Sequence, residues 1–150
     1  MINSHEVHKG HNEQMTENEI AKEILDAAFI VQTKLGPGLL ESGHEVVLAY
    51  ELRKRGLTVE RQKPMPITYE GMRFDKAFRA DLVVHSRVVI ELKSVEATSA
   101  LHAKQVLTQL RLSGLKLRLL INFGEVHLKN GIKRLINGKL DDEALSDISL

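Results

Sequence analysis

Apolar positions recur with two different periods along this chain, and the change of period marks out its elements. Residues 1–15 (MINSHEVHKGHNEQM) are polar and aperiodic, the pattern of a tail. Thr16 with Glu19 three residues on forms a capping box, after which Ile20, Ile24, Ala27, Ala28, Val31 and Leu35 keep helical spacing, so a first helix is predicted over 17–35. GPG at 36–38 ends it. A second helix fits 39–55 and closes at Gly56, and its Glu41, Glu45, Leu48 and Leu52 fall on one stripe, so two acids continue an apolar face.

The period then shortens to two. LTVERQ at 57–62 reads as extended, and PITY and MRF flank a hairpin turn at Glu70-Gly71. RADLVVHSRVVIELKSV at 79–95 is the most apolar stretch and reads as two strands around a short turn. Helical spacing returns at 101–113, with Ala103, Val106, Leu107 and Leu110 apolar and Gly114 as the stop. KLRLLINF at 116–123 reads as a further buried strand, 125–136 as a last strand or hairpin, and the acidic DDEALSDISL end as a short helix or tail. One domain over 16–137 is expected between a tail at 1–15 and an acidic tail at 138–150.

Three charges interrupt the apolar pair at 79–95. By strand parity Glu91 and Lys93 share one face, while Ile90 and Leu92 share the other. A three-residue loop at 85–87 sets Asp81 directly across from Glu91; a two-residue loop puts them on opposite faces. In the first case two carboxylates stand with Cβ atoms ~5 Å apart, and a divalent cation between them relieves their repulsion. In the second, the charges form an ordinary ion pair on a half-exposed sheet. Parity alone leaves both open.

Composition adds constraints. With 43% hydrophobic and 27% charged residues in 150, the chain can bury a core as a single domain. It has no cysteine, which rules out disulfides and thiolate metal sites and makes a reducing cytoplasm the expected location. No leader and no apolar run near the ~20 residues of a membrane span is present, so no membrane partner is expected. The formal charge of +1 conceals an asymmetry: residues 51–140 carry 18 Lys/Arg against 8 Asp/Glu, between acidic ends. A basic middle suits a polyanion such as nucleic acid, or is simply a solvated surface. His5, His8 and His11 recur every third residue in the tail, open to a metal-binding tract or to plain solvation.

Asp81, Glu91, Leu92 and Lys93, spaced D-x9-E-L-K, resemble the signature of the PD-(D/E)XK nuclease superfamily. The order of elements from 39 to 123 is similar to that superfamily's core, so the fold implied is α/β (α+β), a mixed central sheet flanked by helices. The stretch 17–137 resembles the GxxExxY proteins within it, with Gly38 and Glu41 of GLLESGHE matching and His44 standing where that family has tyrosine. Gln105 resembles the glutamine of a Q-x3-Y element, whose tyrosine is replaced by Gln109. The resemblance implies a Mg²⁺- or Mn²⁺-dependent nuclease acting on DNA or RNA. Asp81, Glu91 and the Leu92 carbonyl would ligate the metal, with Glu45 binding directly or through water, and Lys93 would orient the attacking water. Glu41 would sit behind the ligands or cap its helix. His102, Gln105 and Gln109 share a helix face and would touch a nucleotide or the lysine, or else form the solvent side of an amphipathic helix. A homo-oligomer is compatible with the pattern, as is a catalytically silent module that binds nucleic acid or protein.

Overall fold

The computed structural model describes residues 15–95, 100–138 and 140, and of 100–103 the backbone alone. Helix α1 (Glu17–Leu35) and helix α2 (Glu41–Lys54) precede strands β1 (Val59–Tyr69), β2 (Met72–Val84) and β3 (Val88–Lys93). Helix α3 (Ala100–Ser113), β4 (Leu117–Asn122), a 3-10 turn and β5 (Ile132–Ile136) complete the fold. The Thr16 hydroxyl accepts from the Glu19 backbone and the Glu19 carboxylate reaches back, so α1 starts at the capping box. Glu70 and Gly71 both have positive φ (48° and 80°), the conformation a tight hairpin turn requires.

The five strands lie in the order β1-β2-β3-β4-β5. Only β3 and β4 are parallel, and α3 supplies the crossover that a parallel pair needs. Leu82, Val84, Val88, Ile90, Leu92, Leu117, Leu119 and Ile121 turn to one face, where they form the main core with Ile20, Ile24 and Val31 of α1 and Leu48 and Leu52 of α2. Met65, Ala80, Val83 and Val89 form a smaller cluster on the other face. Arg118 also turns to that second face, and its bond to Gln109 fixes α3 there. Helices therefore flank a mixed sheet on both sides, the α+β architecture expected. Met15 and Leu140 are buried in the main core, so the packed domain extends past the expected limits of 16 and 137 by these apolar side chains. His5, His8, His11 and the DDEALSDISL end lie outside the described residues. Among the described residues, no helix is long and apolar enough to cross a membrane.

Alternation fails in each of the first two strands at the same rung, and the pairing register shifts farther out, between Met65 and Ile67. Phe78 and Ala80 belong to the smaller cluster, yet Leu82 and Val84, two and four residues on, belong to the main core. Met65 and Val59 of β1 are split in the same way. The interruption falls at Gln62, whose φ is 49°, opposite Asp81. Pairing keeps one register across this rung, Arg61 with Leu82 and Lys63 with Ala80, because each strand loses its alternation by the same amount.

Candidate functional site

The turn after β2 has three residues, His85, Ser86 and Arg87, and β2 pairs with β3 as Leu82 to Ile90, Val83 to Val89 and Val84 to Val88. That is the register that aims Asp81 at Glu91. The ladder, however, stops one pair short of them. The Asp81 carboxylate occupies the next position itself: its Oδ2 accepts the Leu92 backbone N–H at 2.8 Å, and Oδ1 accepts from Gln62 Nε2 at 3.4 Å. A side chain thus takes the place of a strand-to-strand bond, where the break in alternation lets it enter the plane of the sheet.

Glu45 approaches from α2. It is 4% exposed despite its charge, and such a group needs partners. Arg61 donates to Glu45 Oε2 through Nε at 3.0 Å and Nη2 at 2.9 Å, while Gln62 Nε2 donates to Oε1. Gln62 therefore bridges the carboxylates of Glu45 and Asp81. Both line a cavity of about 700 Å³ with Glu41, Arg61, Arg79, Leu92 and Ser94. Glu41 itself is exposed at the start of α2.

Glu91 and Lys93 leave β3 on the other face, as parity requires. Lys93 Nζ lies 4.0 Å from Glu91 Oε1. Glu91 Oε2 accepts from Arg118 Nη2 at 2.9 Å, and Arg118 Nη1 donates to Gln109 Oε1 at 2.8 Å. Burial pushes the Arg118 guanidinium below its ordinary pKa, against the opposing pull of Glu91 and then Asp81, so this one cation senses both carboxylates.

Among the described residues no three His, Asp or Glu side chains are arranged as a ready-made metal site. The reason is that each carboxylate is engaged by a donor of the chain itself, Glu45 by Arg61 and Gln62, Asp81 by Gln62 and the Leu92 amide, Glu91 by Arg118. Gln109, expected to face a nucleotide or the lysine, instead holds Arg118. Gln105 is exposed on α3, and the His102 side chain lies outside the described residues. The donor chemistry nonetheless fits a hard divalent cation, which takes carboxylate and carbonyl oxygens. A cation would bind in exchange for the contacts just described.

His44, at the position of an expected tyrosine, is fully buried and stacks on Phe123, with ring centroids 4.4 Å apart. Its Nε2 donates to the Gly36 carbonyl at 3.0 Å and its Nδ1 accepts from the Ser94 hydroxyl at 3.3 Å, tying the α1–α2 turn to the end of β3. Beyond β3, Asn122 Oδ1 accepts from the Val95 backbone N–H at 3.1 Å and so fixes the chain just after Lys93.

Sequence reasoning missed Gln62, Arg61, Arg79 and Arg118. For Arg118 a signal was present: a charge inside a strand read as buried demands a partner. For Gln62 there was none, since nothing in VERQKP announces a left-handed residue.

A family model described as the PD-(D/E)XK nuclease superfamily matches residues 18–135. No curated protein and no solved structure matches the chain.

Proposed function

Because the chain belongs to the PD-(D/E)XK nuclease superfamily, we propose that its site hydrolyses phosphodiester bonds of DNA or RNA with the help of a divalent cation, Mg²⁺ or Mn²⁺. Within the superfamily, GLLESGHE at 38–45 supports a place among the GxxExxY proteins. The observation that carries the reading is the meeting of Asp81 and Glu45 in one cavity, at the strand pair from which Glu91 and Lys93 project.

Asp81, Glu91, Glu45 and the Leu92 carbonyl are the groups that would hold the cation. When bound, it supplies a hydroxide near neutral pH and polarises the scissile phosphate. Arg61 and Arg79 line the cavity and attract the phosphate backbone. Lys93 orients the attacking water through its ammonium and offsets the negative charge that builds on the phosphate oxygens. Gln105 and His102, on the crossover helix α3, would contact the nucleotide. With six aromatic residues in the whole chain there is little material for base stacking, which favours low sequence specificity.

The test pairs Mn²⁺ affinity with turnover of single- and double-stranded DNA and RNA, over a range of salt because phosphate binding weakens with ionic strength. Lys93→Ala should lose cleavage and keep metal affinity, since an ammonium is no ligand. Asp81→Ala should lose both. Wild-type protein that binds Mn²⁺ and cleaves none of these substrates at any salt would overturn the proposal. A second reading then takes over, a nucleic-acid-binding module without chemistry. It is favoured by one feature, that Arg61 and Arg118 already balance Glu45 and Glu91 without any metal.

A further inference from the structure

Arg118 is a charged residue in the middle of a buried strand, and its surroundings explain how the fold tolerates it. The parallel register sets it beside Val89, one pleat from Glu91 on the same face. It is 2% exposed. Glu91 accepts from Nη2 at 2.9 Å, Gln109 accepts from Nη1 at 2.8 Å, and the guanidinium lies over the Phe78 ring at 5.5 Å. Its Nε is buried and has no hydrogen-bond partner among the described residues. Gln109 and Phe78 bring no formal charge, so among the described residues the negative charge that acts most on the guanidinium is that of Glu91, followed by that of Asp81.

The geometry points to Arg118 as a resident cation that competes with a divalent metal for the Glu91 carboxylate. The inference rests on the metal-site reading above and adds a residue that sets how tightly such a site is held. An arginine cannot relieve the conflict by losing its proton. It is also not free to swing into solvent, because Gln109 and Phe78 hold its far side. A cation that ligates Glu91 must therefore either displace the guanidinium from the carboxylate or sit within a few ångströms of a fixed positive charge, where repulsion in a partly dry site is strong. In both cases the apparent metal affinity falls. Removing the charge while keeping the volume should raise it. A merely structural role for Arg118 predicts the opposite, since damage to packing seldom tightens a neighbouring site.

Calorimetric titration with Mn²⁺ on folded wild type, Arg118→Met, Arg118→Lys and the double variant Glu91→Gln/Arg118→Met tests this. Arg118→Met should bind at least about tenfold more tightly, a change of roughly 1.4 kcal/mol. Arg118→Lys should stay close to the wild type, and the gain should vanish in the double variant. In wild-type protein, Mg²⁺ should move the Arg118 side-chain nitrogen resonances as the contact with Glu91 opens, a readout that survives if Arg118→Met fails to fold. Saturable Mn²⁺ binding that is equal in wild type and Arg118→Met, or Mg²⁺ saturation with no change at the Arg118 guanidinium, overturns the competition and leaves the metal site standing. No saturable binding by any of the proteins overturns the metal site and the role of Arg118 with it.

Discussion

Glu91→Ala should destabilise the folded protein by about 3 kcal/mol, although the Glu91 carboxylate keeps some contact with solvent. The carboxylate lies 2.9 Å from Arg118 Nη2, and the two side chains are 17% and 2% exposed. Opposite charges about 4 Å apart attract by about 4 kcal/mol at the effective dielectric of a protein. Deleting one partner of a buried pair costs about 3–5 kcal/mol, because the other charge stays buried without compensation. The partial exposure of Glu91 lets water enter the vacated space and moves the figure to the lower end. In a domain of this size that is a fall in Tm on the order of 10 °C. Arg118→Met in the same chain should restore much of the loss, since replacing both members of a buried pair with apolar volume is often neutral. The exposed pair Arg73–Asp75, at 66% and 81%, is the control, and Asp75→Ala should cost under ~1 kcal/mol. Urea unfolding followed by circular dichroism gives the stabilities of the three variants against the wild type. A Glu91→Ala cost below ~1 kcal/mol, or a double variant no more stable than the single, would refute the claim that Arg118 depends on Glu91.

Gly124→Ala should destabilise by about 1–3 kcal/mol in urea unfolding, because a Cβ there would stand 2.3 Å from the Val95 carbonyl oxygen and the chain after Lys93 would have to move. His44→Phe keeps the ring stack on Phe123 but removes the donor to the Gly36 carbonyl. Thermal melts should show a loss of about 1–3 kcal/mol, and an unchanged Tm would mean water replaces the imidazole. Arg79→Ala, made in an inactive Lys93→Ala background, should lower the dependence of nucleic-acid binding on salt by roughly one unit in the log–log slope; an unchanged slope in fluorescence anisotropy would remove Arg79 from the phosphate contacts.

The parts of this protein legible in its sequence are those governed by local rules. The Thr16–Glu19 capping box gives the start of α1, and the spacing of Ile20, Ile24 and Val31 gives its buried face. Parity separates Glu91 and Lys93 from Ile90 and Leu92, whereas the register of β2 on β3 turns on the length of the loop at 85–87, which the sequence leaves open between two and three residues. What was not legible depends on two segments acting together. The strand readings assume an unbroken pleat, and alternation fails at Gln62 only because Asp81, nineteen residues on, fails beside it. The apolar face of α2 continues into Glu45 because Arg61 waits across the gap, and no pattern within 41–54 contains that fact. Arg118 falls within a strand that reads as apolar because period-two reading weighs neighbours in the chain, whereas its partners come from β3, α3 and β2.

The coincident break at Gln62 and Asp81 sets a rule for insertions and deletions in this hairpin. Losing one residue from β1 alone would slide every pairing beyond the rung, from Lys63–Ala80 outward, and turn Met65 away from Phe78 and Val89. Losing one from each strand at that rung would restore alternation there with every outer pair kept, the shift between Met65 and Ile67 included, and would delete Asp81. The protein can therefore shed its irregularity without unravelling its sheet, but only by a matched change in both strands that takes the carboxylate with it. A chain in which both strands shortened together here would be expected to fold well and to have lost the site.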